Sequence, residues 1–152
     1  MQNNELQSCV EKVSLENFNK PFKHRAYFNN RLRTTGGRYL LHSHNIEINH
    51  KQYTMYGMEA LTNIIKHELC HYHLHLEGKG YKHKDYDFKK LSKQVNAPRY
   101  CEPLESYESR ANYIYECTNC KTKFMRIRKV NTRKMVCSLC HQKLTLIERN
   151  NK

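Results

Sequence analysis

The sequence has no tryptophan, and no apolar run in it approaches the ~18 residues that a membrane-spanning helix needs. Nor does an apolar segment follow a basic amino terminus, so the chain is expected to be neither secreted nor membrane-bound and to work in the cytoplasm. Acidic residues are scarce too: 14 Asp and Glu face 27 Lys and Arg, a formal net charge of +13. Such an excess attracts polyanions, nucleic acid first among them, although a generally basic soluble protein is the plainer alternative. Apolar residues make up 38% of the 152, which allows one modest core and a small metal-stapled module besides. Disulfides are not expected. Seven cysteines is an odd number, and four of them fall in two Cys-x-x-Cys pairs, which in an unexported chain points to zinc.

Residues 3–18 place Leu6, Val10 and Val13, with Cys9 beside them, on one helical stripe. Asn3 or Asn4 is the expected cap, and Lys20-Pro21 the stop. Over residues 22–50 the period changes to two. Phe22, His24, Ala26 and Phe28 alternate with polar neighbours, and 38–42 and 46–49 follow a Thr34-Thr35-Gly36-Gly37 turn, predicting a three-stranded antiparallel sheet. His24, His42, His44 and His50 have no partner at metal-ligand spacing and read as surface or hydrogen-bonded histidines. Residues 58–77 predict a helix whose core face is Leu61, Ile65, Leu69, Tyr72 and Leu76, with Gly78 ending it. A second amphipathic helix is expected from Asp85 to Val95 through Phe88 and Leu91. Residues 101–108 hold three acids and no bases, and read as the connection between modules at 1–110 and 111–152. Cys9, Cys70 and Cys101 read as plain thiols.

Within the 58–77 helix lies His67-Glu68-Leu69-Cys70-His71. Two histidines four apart on a helix project from one face, close enough to share a metal ion, and the adjacent Glu68 is then placed to act as general base on water. Accident is a real rival in a chain with 10 His, so placement matters. On a helical wheel the pair flanks the buried face, with Glu68 between pair and face, which puts a metal in a cleft. For the third ligand, His73 points the wrong way. His75 lies ~12 Å along the axis from His67, too far for one tetrahedral ion. His83, beyond Gly78-Lys79-Gly80, can fold back over the helix and is the choice, leaving a fourth position open for water.

The carboxy-terminal segment carries Cys117-x-x-Cys120, sixteen intervening residues, then Cys137-x-x-Cys140, the spacing of a four-thiolate zinc ribbon. Tyr113/Tyr115, Phe124/Met125/Ile127 and Leu144/Leu146 mark short strands around the knuckles, and His141 is redundant if all four thiolates bind. So few apolar residues need the metal for folding. Ten bases stand against two acids here, seven of the ten between 121 and 134. Lys121, Lys123, Arg126, Arg128, Arg133 and Lys134, with Phe124 for base stacking, are the candidate nucleic-acid contacts, set against a merely solvated basic hairpin.

Taken together, the Arg31-Leu32-Arg33-Thr34-Thr35-Gly36-Gly37 run, the HExxH with Leu74-His75-Leu76 after it, His83 and the closing cysteine pairs resemble the SprT-like family over residues 4–148. The resemblance implies an α+β fold: a zincin-type metallopeptidase domain (amino-terminal helix, small antiparallel sheet, HExxH helix), then a small β zinc ribbon. It matches His67, His71 and His83 to zinc ligands and Glu68 to the catalytic glutamate. Similarity to the eukaryotic relative Spartan, which degrades proteins crosslinked to DNA, implies a DNA-associated protease. The pattern departs from Spartan-like members in one respect: Lys84-Asp85, not Gly, follow His83, after a shorter gap from His71.

The first expectation is therefore peptide hydrolysis with one catalytic and one structural Zn2+, on a protein substrate held at DNA, by a monomer with no membrane partner. Arg33, Tyr39 and His42 are the candidates for stabilising the tetrahedral intermediate. The rivals are a nucleic-acid-binding regulator whose HExxH zinc is only structural, and a ribbon that docks protein.

Overall fold

A computed structural model describes residues 1–104 and 110–149. The chain divides into two units, Met1–Leu104 and Glu105–Lys152. Within the described residues the architecture is α+β, as expected. The inter-module stretch read at 101–108 falls partly outside the described residues.

Helix α1 (Asn3–Phe18) buries Leu6, Val10 and Val13 against the long helix α2 (His50–Leu76), where Leu61, Ile64, Ile65, Leu69 and Tyr72 close the core. Leu76, expected on that face, is exposed at the last residue of the helix. Gly57 interrupts α2 at φ 82°, so regular helix resumes at residue 58, where the periodicity begins. Cys70 and Leu74, on another side of α2, pack with Phe88 of α3 (Tyr86–Gln94) and with Val95. Burial, then the Glu68 carboxyl, pushes the Cys70 thiol up to about 12, too high for a reactive thiolate.

The three strands are β1 (Ala26–Phe28), β2 (Gly37–Tyr39) and β3 (Ile46–Ile48), in the order β1-β3-β2. β2 pairs antiparallel to β3, but β1 pairs parallel to it, so the sheet is mixed rather than antiparallel. Burial explains the difference. All three residues of β3 are buried, so it takes the centre, and the chain leaving β1 passes to the far edge before returning. The Glu47 carboxylate in β3 accepts from Tyr27 Oη (3.0 Å), Asn29 Nδ2 (2.9 Å) and Arg38 Nε, which tie β1, its following loop and β2 together. Burial alone would raise its pKa, but these three donors and the Arg38 charge hold it below the usual carboxylate range.

Neither Asn3 nor Asn4 caps α1; the N-cap position is Gln2, without a side-chain hydrogen bond. Asn3 is used elsewhere. Its Oδ1 accepts from Phe28 N (2.9 Å), and Gln7, one turn on, accepts from Ala26 N (2.7 Å) and donates to His24 O (2.9 Å). Two amides on one helix face thus close the outer edge of β1. The edge of β2 has no described strand beyond it.

His73 is buried between α1 and α2. Ser14 donates to Lys20 O (2.6 Å) and so accepts from His73 Nε2 at 2.8 Å. Burial, aided by Lys20, lowers its pKa to about 4. An unfolded chain therefore binds a proton at pH values where the folded one does not. The stability from neutral His73 is present in full above about 6.5 and is lost as the pH falls toward about 4. With zinc loaded, melting temperatures taken from pH 7.5 to pH 5 should fall less steeply in His73→Gln than in the wild type; equal slopes would contradict this.

The second unit is a three-stranded antiparallel sheet with β4 (Tyr113–Cys117) between β5 (Lys123–Arg126) and β6 (Leu144–Arg149). Its small core is Tyr115, Cys117, Cys137 and Leu144.

Candidate metal centre and cleft

His67 and His71 project from α2 into a cleft of about 690 Å³. The 34–39 segment forms one wall, 98–102 another, and residues 81–83 also line it. The Nε2 atoms of His67, His71 and His83 lie 2.9, 3.1 and 3.3 Å from one another. Three nitrogens ~2.0–2.1 Å from one tetrahedral ion would be spaced at about 3.3 Å. The other ring nitrogens settle the tautomers. His67 Nδ1 donates to Pro98 O (3.1 Å) and His71 Nδ1 to Tyr81 O (2.5 Å), so in the neutral rings both Nε2 atoms present bare lone pairs. Lone pairs facing across 3.3 Å repel unless a cation sits between them, and the donor set fits zinc. Burial above all, with neighbouring histidine charge, lowers His67 and His71 to about 4, so both are in the neutral form a metal requires. Burial also lowers His83, with Arg99 contributing. The Phe88 ring packs on all three imidazoles, 4.4 to 5.3 Å between centroids.

The loop bearing His83 is held despite the Lys84-Asp85 that follow it. Asp85 Oδ2 accepts from Lys82 N (3.0 Å) and Asp87 Oδ2 from Gly80 N (2.9 Å). A Cβ on Gly80 would sit 2.7 Å from Asp85 Cβ, so this turn requires glycine.

Glu68 is 6% exposed, and burial raises its carboxyl to about 8, with the Tyr39 backbone N–H pulling the other way. That N–H is available because residues 36, 38 and 40 face β3 with their backbone groups, turning those of Gly37 and Tyr39 toward the cleft. The wall itself is fastened by Asn49, which caps α2 by accepting from Lys51 N (3.1 Å) while donating to Thr35 O (3.1 Å) and Arg33 O (3.3 Å). Gly36 and Gly37 press onto Ile64 so closely that a Cβ on either would meet it at about 3 Å.

Of the residues considered for oxyanion stabilisation, only Tyr39 lines the cleft. Its hydroxyl is held between His44 Nδ1 (2.7 Å) and His75 Nδ1 (2.6 Å). Sequence reasoning missed the Pro98 carbonyl and the Arg99 beside it, because a proline after a helix signalled only a break.

In the second unit the four sulfurs of Cys117, Cys120, Cys137 and Cys140 lie within 4.8 Å of one another. The two Cys-x-x-Cys turns match. Lys121 and His141, each just after the second cysteine, both have φ 62°. Their N–H groups donate to the carbonyls of Cys117 (3.2 Å) and Cys137 (2.9 Å). Asn119 N and Cys120 N approach Cys117 Sγ at 3.4 Å, and Leu139 N approaches Cys137 Sγ at 3.4 Å. Such donors stabilise thiolate charge. Lys121, Lys123, Arg126, Arg128, Arg133 and Lys134 are all exposed. Phe124 is not a free platform: it packs partly into the ribbon core, with the Arg126 guanidinium 5.5 Å from its centroid.

A family model described as the SprT-like family matches residues 6–109, and one described as the SprT-like zinc ribbon domain matches residues 111–148. The chain belongs to the SprT-like family. Similar relatives are proteins called "Protein SprT-like" from Staphylococcus saprophyticus (62% identical, 95% of each chain), Staphylococcus carnosus (64%, covering 96% of this chain and 97% of the relative) and Staphylococcus aureus strain MRSA252 (62%, with the same coverage). No solved structure matches.

Elemental analysis should find about two zinc per wild-type SprT-like chain and about one in His83→Ala. An unchanged two would remove His83 from the ligand set.

Proposed function

We propose that this SprT-like protein is a zinc-dependent metallopeptidase acting on proteins associated with, or crosslinked to, DNA. The observation that carries this reading is the convergence of three histidine nitrogens beside a buried glutamate in an open cleft. His67, His71 and His83 would hold a catalytic zinc, and Cys117, Cys120, Cys137 and Cys140 a structural one. A zinc ion on the histidines supplies Lewis acidity, acidifying water and polarising a carbonyl. Glu68 accepts the proton of the attacking water and returns it to the leaving amine. Its burial in the cleft beside the histidines places the carboxyl for both transfers. The cleft-facing backbone of Gly37 and the Tyr39 carbonyl, beside the Tyr39 N–H that holds Glu68, support an extended peptide laid along the edge of β2.

The ribbon's exposed bases would bind the DNA phosphates, confining proteolysis to proteins held there. The ring of Phe124 becomes available to a base only if Arg126 swings off it. No helix among the described residues is long and apolar enough to cross a membrane. We place the protein in the cytoplasm, as a monomer.

The test is cleavage of an unfolded protein, or self-cleavage, with zinc and DNA, in wild type and Glu68→Gln. Loss of cleavage by at least about 100-fold in the variant, with two zinc retained, is expected. Equal rates would remove Glu68 as the base, and no cleavage in either would favour a nucleic-acid-binding regulator. Replacing Arg126 and Arg128 should weaken DNA binding and flatten its salt dependence.

A further inference from the structure

We propose that Arg99 is a catalytic residue of the cleft, its guanidinium meeting the oxygen of the scissile carbonyl as negative charge develops there. The inference rests on the peptidase reading above and adds the group that reading lacks. When a water oxygen bonds to the carbonyl carbon, its proton passes to Glu68 and the C=O π pair moves onto the carbonyl oxygen. When the C–N bond breaks, that pair returns and the proton goes to the leaving nitrogen. Between the two events the oxygen is an anion, and a preorganised cationic donor beside it lowers the barrier.

The cleft offers few candidates. Arg33 and His42 are exposed and do not line it. The Tyr39 hydroxyl is committed to two histidines. Arg38 lines the cleft, but its guanidinium is paired with buried Glu47. Lys82 sits on the loop that carries His83. Arg99 is different in two respects. It directly follows Pro98, whose carbonyl accepts the His67 Nδ1–H, so its backbone is fixed relative to that imidazole. Its guanidinium lies 5.1 Å from the centroid of the exposed Tyr100 ring, which restrains the side chain without occupying all its N–H groups. It also lines the same cleft as Glu68 and the three histidines. A planar fork of donors also suits an oxygen whose position shifts as the carbon becomes tetrahedral.

The test compares wild type, Arg99→Ala and Arg99→Lys on a quenched-fluorescent peptide that the wild type cleaves. Arg99→Ala should lower kcat about 100-fold with KM within about twofold, and Arg99→Lys should fall between the two. By calorimetry, Arg99→Ala should bind a phosphonamidate peptide, which carries a tetrahedral anionic group, about 100-fold more weakly than the wild type. Zinc should stay at two per chain, and added guanidinium should restore part of the Arg99→Ala rate. Undiminished kcat, a rise in KM alone, or loss of zinc would each overturn the assignment. Any of these with Glu68-dependent cleavage intact leaves the peptidase reading standing. Absence of Glu68-dependent cleavage in the wild type removes both.

Discussion

Three imidazole nitrogens converge on one point, and the two from α2 face each other with bare lone pairs, an arrangement that neutral histidines do not adopt for each other's sake. The fold enforces it by holding two of the rings from behind. Pro98 and Tyr81 supply carbonyls to the Nδ1 atoms of His67 and His71, and Phe88 buttresses all three rings. Much of the first unit serves those constraints. Helix α3 brings Phe88, the Asp85 and Asp87 turn sets the His83 loop, and the 98–102 segment returns across α2 with the Pro98 carbonyl.

The opposite wall depends on a second chain of contacts that begins in the sheet. Glu47 collects donors from three segments, so β2 is fixed relative to β3; Asn49, two residues on, fixes the 33–36 loop while it starts α2. The Tyr39 N–H then reaches Glu68. Glutamate and histidines are thus positioned from different sides of one helix, by elements that share no side chain. Distances in the site follow from α2 being rigid across residues 61–76, and its break at Gly57 falls before that stretch.

Periodicity made the helices legible. Asn3–Phe18 was readable from Leu6, Val10 and Val13, and the HExxH segment from the stripe beginning at Leu61, because both helices bury one face against a single core. The histidine and cysteine positions were readable because metal-ligand spacing is local. The pairing of β1 was not. Three-residue strands carry too little alternation to fix direction, and the burial of all of Ile46–Ile48 is a property of the assembled layers. Contacts made by backbone carbonyls, such as that of Pro98, leave no trace in residue type. Arg99 was hidden for the same reason, since its place depends on where a non-repetitive segment returns.

The two edges of the small sheet differ in kind. Asn3 and Gln7 imitate a neighbouring strand along β1, satisfying the outward N–H groups of Ala26 and Phe28 and the His24 carbonyl before them with side chains that carry no further edge of their own. Strand addition is therefore possible on one side only. Such a molecule can terminate a growing sheet but cannot link two others, so the open edge that suits a cleft need not seed fibres.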